Sequence, residues 1–157
     1  MINGVVLEKL RTLDSVLGEL RSLGEISVQQ LEEDWRTRRA VERDLQILVE
    51  VVIDVCQRML AVLGHTPTTT GAEAVARCIE LGVITEYATY RLMVQFRIFV
   101  VHRYEYVDTA ILADMVNRRL PDFERFHREV LAYVSRELGT DCGYGRAPPN
   151  RGGGRGL

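Results

Sequence analysis

Three residue types capable of chemistry fall in one apolar stretch, Arg97-Ile-Phe-Val-Val-His102-Arg-Tyr104, at positions i, i+5 and i+7. Charged and titratable side chains are costly to bury without partners. An arginine and a histidine inside such a run therefore need a partner, a site or a subunit interface. Imidazole titrates near neutrality and can take or give a proton. Guanidinium keeps its charge and matches the geometry of phosphate or carboxylate oxygens.

The elements that must position these groups all read as helices. Val6, Leu10, Leu13, Leu17 and Leu20 recur near the 3.6 period between Val5 and Leu23, and Gly24 ends that helix. Ser27-x-x-Gln30 has the form of a capping box, with Ile26 and Leu31 at the hydrophobic-staple positions. One long helix is expected from there to Leu63, closed by Gly64. Its first half, rich in Glu32, Glu33, Asp34, Arg36, Arg38, Arg39 and Arg43, projects into solvent or toward a partner; its second half, from Ile47 to Leu60, is core. Thr70-x-x-Glu73 forms a second box, opening a short helix that Gly82 ends. Thr85 is expected to cap the helix that carries Arg97, which runs to about Arg103. Asp108 or Thr109 opens another helix, Pro121 should interrupt it, and a last helix reaches Leu138 before Gly139. No strand and no internal repeat is evident. The expected fold is an all-α bundle of four to five main helices.

The chain has 157 residues and a formal net charge of −2, a size that suits one domain over 1–140. The rest, 141–157, is a tail rich in glycine and arginine, expected to be disordered. Removing the three arginines of Gly143 to Leu157 leaves −5 on the remainder. That balance argues against a nucleic-acid coat or a membrane-surface binder. Lys9 is the only lysine, so nineteen of the twenty basic residues are arginine, a bias that suits phosphate contacts but also follows from GC-rich codons. Cys56, Cys78 and Cys142 are odd in number and widely spaced, so neither a disulfide framework nor a metal site is expected, and a cytoplasmic location fits. No signal peptide and no membrane span is expected. His65 and His127 lack metal-ligand company and read as surface residues.

Around the motif helix, at ~100° per residue, Leu92, Met93, Phe96, Phe99 and Val100 share one face, the expected core seam. Tyr90, Val94, Arg97, Val101 and Tyr104 form a second seam with steps of 4, 3, 4 and 3, the spacing of helix-to-helix packing. A helix apolar nearly all round is either central or shared with another chain. The second seam is therefore expected to form a two-fold homodimer through Tyr90, Val94 and Val101, pairing two copies of the motif. His102 lies ~140° from Arg97 in a regular helix. It meets Arg97 only if the helix loosens near Val101 to Tyr104, or if it meets the Arg97 of a second subunit.

Arg-x4-His-x-Tyr resembles the motif of HepT-type toxins of the HEPN ribonuclease superfamily. Arg97, His102 and Tyr104 match it position for position. Ala40-Val-Glu-Arg-Asp-Leu-Gln46, Gly82-Val-Ile-Thr85 and Tyr106-Val-Asp108 resemble the family in order and spacing. The likeness runs from about Leu7 to Leu138 and implies a homodimeric HEPN helical bundle, a toxin of a type VII toxin–antitoxin system that cleaves RNA, tRNA included, without a metal or other cofactor. By the same resemblance Arg97 and His102 are catalytic, in a composite cleft at the dimer interface. The implied partner is an MntA-like nucleotidyltransferase antitoxin that transfers AMP to the motif tyrosine, here Tyr104. The chemistry is coherent: a histidine base for the 2′-hydroxyl, a guanidinium for the charge on the phosphorane, and a nucleotide on Tyr104 that repels and blocks RNA. One departure is Ile98, where the family usually has Asn or Asp. It sustains an alternative, a catalytically degenerate dimer serving as a binding scaffold for the nucleotidyltransferase or for RNA.

Overall fold

The computed structural model describes residues 2–86, 88–102 and 108–137, with side chains for 4–86, 88–98 and 108–137. Among them the elements are α1 (Ile2–Ser22), α2 (Val28–Glu33), α3 (Trp35–Val62), α4 (Gly71–Glu80), α5 (Ala88–His102), α6 (Thr109–Asp114) and α7 (Leu120–Glu137), with a π-helical segment, Met115–Arg119, joining α6 to α7. The fold is all-helical. Five principal units, α1, α3, α4, α5 and the α6–π–α7 rod, carry it. No helix of the described residues is long and apolar enough to cross a membrane.

Helix α3 is the axis of the bundle. It packs against α1 on one side and against α4 and α5 on the other. Leu45, Leu48, Val49, Val52, Val55 and Met59 are fully buried along it. These positions follow the 3.6 period, so a single stripe serves several neighbours. Its N-terminal half exposes Arg36, Arg39, Ala40 and Arg43 along one side, while Val41 and Leu45 are buried on the other. Trp35 stands there 62% exposed, with the Arg36 guanidinium 5.4 Å from its ring centre. Cys56 and Cys78 are buried free thiols at the α3–α4 crossing, where the Cys78 thiol donates to the Cys56 carbonyl at 3.4 Å.

Local signals hold well. Ser27 and Gln30 make the full capping box, and Ile26 and Leu31 are both buried. Gly24, Gly64 and Gly82 all adopt positive φ at the expected stops. Gly82, at φ 75°, turns the chain back from α4 toward α5. Gly71 is needed for space: a Cβ there would lie 2.8 Å from Cδ1 of Ile53 on α3.

Three expectations change. The long second helix is two helices, because Asp34 leaves helical geometry and caps α3, accepting from the Arg36 and Thr37 amides at 3.1 and 3.3 Å. The second box is open on one side: Thr70 accepts from the Glu73 amide, but Glu73 reaches back to the Thr69 amide instead. Pro121 does not interrupt its helix. The π segment just before it widens the turn, which relieves the clash of the ring with the preceding carbonyl and absorbs the missing donor. Asn117 in that segment donates to the Ile26 carbonyl and accepts from the Ile26 amide, at 2.7 and 2.9 Å. The Thr85 hydroxyl bonds to α7, as described below, while Tyr87, between it and the first residue of α5, lies outside the described residues. The end of the motif helix beyond His102, Leu138 and the 141–157 tail with Cys142 lie outside the described residues.

Candidate functional site on the motif helix

Arg97 is half-buried on α5, and its Nε is sealed from water with no hydrogen-bond acceptor among the described residues. A buried N–H left unsatisfied is costly. The backbone stays helical through His102, so the helix does not loosen before that residue. Position 102 follows Ile98 by four and Gln95 by seven, on the side of α5 away from Arg97. The His102 and Val101 side chains and the whole of Tyr104 lie outside the described residues.

The expected seam is reoriented. Tyr90 is 0% and Val94 7% exposed: both pack into the chain's own core, and Val94 shows only an edge. Leu92, assigned to the core, is instead 48% exposed. The face of α5 left to solvent is Ala88, Arg91, Leu92, Gln95 and Ile98. Ile98, the departure from the family motif, is 53% exposed there. An apolar groove of about 230 Å³ lies on one side of this ridge, among Leu92, Phe96, Ile111, Met115 and Phe123. On the other side α4 and α5 form a second, about 360 Å³, with Val75, Ile79, Val94 and Ile98 in its wall.

The start of α5 is fixed by a polar cluster that the sequence pattern hid. Glu129 on α7 accepts from the Tyr90 hydroxyl at 2.7 Å, from the Thr85 amide at 3.2 Å, from the Thr85 hydroxyl, and from Arg125 Nε at 3.2 Å. Arg125 also donates to the Thr85 hydroxyl oxygen at 3.0 Å. The Tyr90 ring stands edge-on to Phe126, centroids 5.9 Å apart. Burial pushes the Tyr90 hydroxyl well above its ordinary value, and bonding to Glu129 adds to that. Burial also pushes the Glu129 carboxyl up, but the bonds from Thr85, Tyr90 and Arg125 outweigh it and hold it below the usual range. The one hint in the sequence was Arg125 and Glu129 at i, i+4. His65 is exposed, whereas His127 is half-buried and pairs with Asp14 of α1 at 2.8 Å.

The model of the family described as Ribonuclease HepT-like matches residues 13–130. No curated protein matches the chain. Among solved structures the chain is similar to a tri-AMPylated HEPN toxin from Shewanella oneidensis in complex with MNT antitoxin, at 20% identity, 82% of this chain, 97% of that one and a TM-score of 0.73. A toxin–antitoxin structure with AMP-PNP gives 20% identity, 82% and 98% coverage and a TM-score of 0.74. YutE of Bacillus subtilis, a cytosolic protein of unknown function, gives 16%, 88% and 94%, and 0.76. At these identities the structures establish a shared fold, the HEPN helical bundle. The family match spans most of the chain, so this chain belongs to the HepT-like ribonuclease family.

Proposed function

We propose that this chain is the toxin of a toxin–antitoxin pair and a metal-independent endoribonuclease acting as a homodimer. Arg97 stabilises the charge that gathers on the phosphorane oxygens, and His102 removes the 2′-hydroxyl proton. The observation that carries this reading is the Arg97 guanidinium, half-buried in a HepT-like fold with an Nε that meets no acceptor among the described residues. With Nε closed to water, an RNA phosphate would meet this guanidinium through its terminal amino groups. Because α5 stays regular through His102, the pocket is composite: His102 of one protomer works with the partner subunit's Arg97. The exposed Leu92–Ile98 ridge, with a groove on either side, is the surface through which α5 pairs with its copy.

The neighbouring complex of a tri-AMPylated HEPN toxin with MNT antitoxin supports a nucleotidyltransferase partner, and the motif resemblance alone assigns its target to Tyr104. AMP there places a phosphate and a nucleoside over the cleft and excludes RNA. The test is cleavage of total RNA and tRNA in EDTA. Arg97→Ala and His102→Ala are each expected to lower the rate ~100-fold or more. Intact RNA with the unmodified wild-type protein overturns the reading.

Ile98 favours a second one. Exposed and apolar, it offers no hydrogen bond where a polar residue usually follows the arginine. A scaffold that no longer cuts RNA would keep its complex with the nucleotidyltransferase, and its biological effect, in His102→Ala.

A further inference from the structure

Helix α5 poses a physical problem for any chemistry mounted on it. It exposes Leu92 and Ile98 beside Arg91 and Gln95, and buries Tyr90, Met93, Val94 and Phe96, so large apolar side chains stand on both sides of it. Burial of apolar area is then a coarse guide to the rotation of the helix and does not by itself set where Arg97 points. Polar groups with directional needs can do so, because a misplaced one loses its partners inside a low-dielectric interior.

We propose that Glu129 and Tyr90 are positioning residues that fix the rotation of the motif helix and thereby aim Arg97. Tyr90 and Arg97 are seven residues apart, ~20° from each other around the axis, on the inward side of α5. The bond from the Tyr90 hydroxyl to Glu129 ties that stripe to α7 at 2.7 Å. The bonds from the Thr85 amide and hydroxyl hold the segment leading into α5 to the same carboxylate, so one side chain sets both the entry point and the angle of the helix. Arg125 bonds to both Glu129 and Thr85 and keeps the carboxylate in place. A tether needed only for stability would join α5 to α7 at any angle. This one acts on the stripe that carries the guanidinium. The proposal rests on the ribonuclease reading for its catalytic consequence and on geometry alone for its structural one.

The test uses the full chain with Tyr90→Phe, which keeps the ring against Phe126 and removes only the hydroxyl, and Glu129→Gln, which keeps the side-chain shape. Asn117→Ala, which cuts a tie remote from α5, is the control. Two readouts are taken: the Nε–Hε resonance of Arg97 by NMR, and kcat and KM for cleavage of an RNA oligonucleotide, normalised to folded protein. Tyr90→Phe and Glu129→Gln are expected to shift the Arg97 resonance and to lower kcat ~10-fold with KM changed less than ~2-fold, since a misaimed guanidinium is felt in the transition state. Asn117→Ala should change neither. Should either α5 variant prove poorly folded, the other carries the test, and Tyr90→Phe is the milder change. An Arg97 resonance that stays in place in the folded variants, or a kcat loss matched by the control, overturns the proposal. If the wild type cuts no RNA, the ribonuclease reading fails, and the Arg97 resonance alone decides the positioning role.

Discussion

Asp44 on α3 is partly buried and lies near Glu19 of α1; burial first, and then Glu19, push its carboxyl from 3.8 to about 6. Between those values the folded state holds a proton that the unfolded chain releases. Stability therefore falls as pH rises from about 3.8 to about 6, and the loss is constant above. Asp44→Asn removes the charge that causes it. We expect a gain of about 1 kcal/mol at neutral pH, after allowing for solvent screening, that vanishes at pH 3 to 4. Denaturant unfolding at both pH values checks this, and an equal gain at both would refute it. Glu129 has the opposite sign: its carboxyl sits below 4.5, so its contribution is present above that value and is lost as pH falls beneath it. At this scale the sequence made Arg97 conspicuous, since an arginine amid Phe96, Ile98 and Phe99 stands out. It misplaced Tyr90 and Val94, because the two stripes of α5 are alike in composition and only contacts from α3 and α7 distinguish them.

Among the elements, what was legible was local. The box at Ser27 and the stops at Gly24, Gly64 and Gly82 are decided within a few residues, and they stand as read. The break at Asp34 was missed because its neighbours continue the helical period. Pro121 was misread because the π segment that accommodates it answers to a distant partner, the Ile26 backbone held by Asn117. The Glu129 cluster joins positions up to 44 apart, beyond any periodicity. Two outcomes belong here. Asn117→Ala should cost about 1 kcal/mol by thermal or denaturant unfolding, because both Ile26 groups must then find water. Gly82→Ala should cost about as much by forcing a side chain into left-handed backbone.

For the molecule as a whole, class and bundle architecture followed from the run of helical periods, and the family from the spacing of three residues. The surface proposed for pairing did not follow, since it depends on which side of α5 the rest of the chain covers. Leu92→Glu combined with Ile98→Glu should leave the protomer folded and shift it to a monomer in sedimentation, with RNA cleavage lost alongside. A variant that still sediments as a dimer would move the interface elsewhere. Trp35, the sole tryptophan, has an optical consequence. Standing mostly in water, its indole already emits much as it would from a denatured chain. Intrinsic fluorescence should therefore pass almost silently through melting that circular dichroism records, and should turn blue only when another macromolecule covers the first turn of α3.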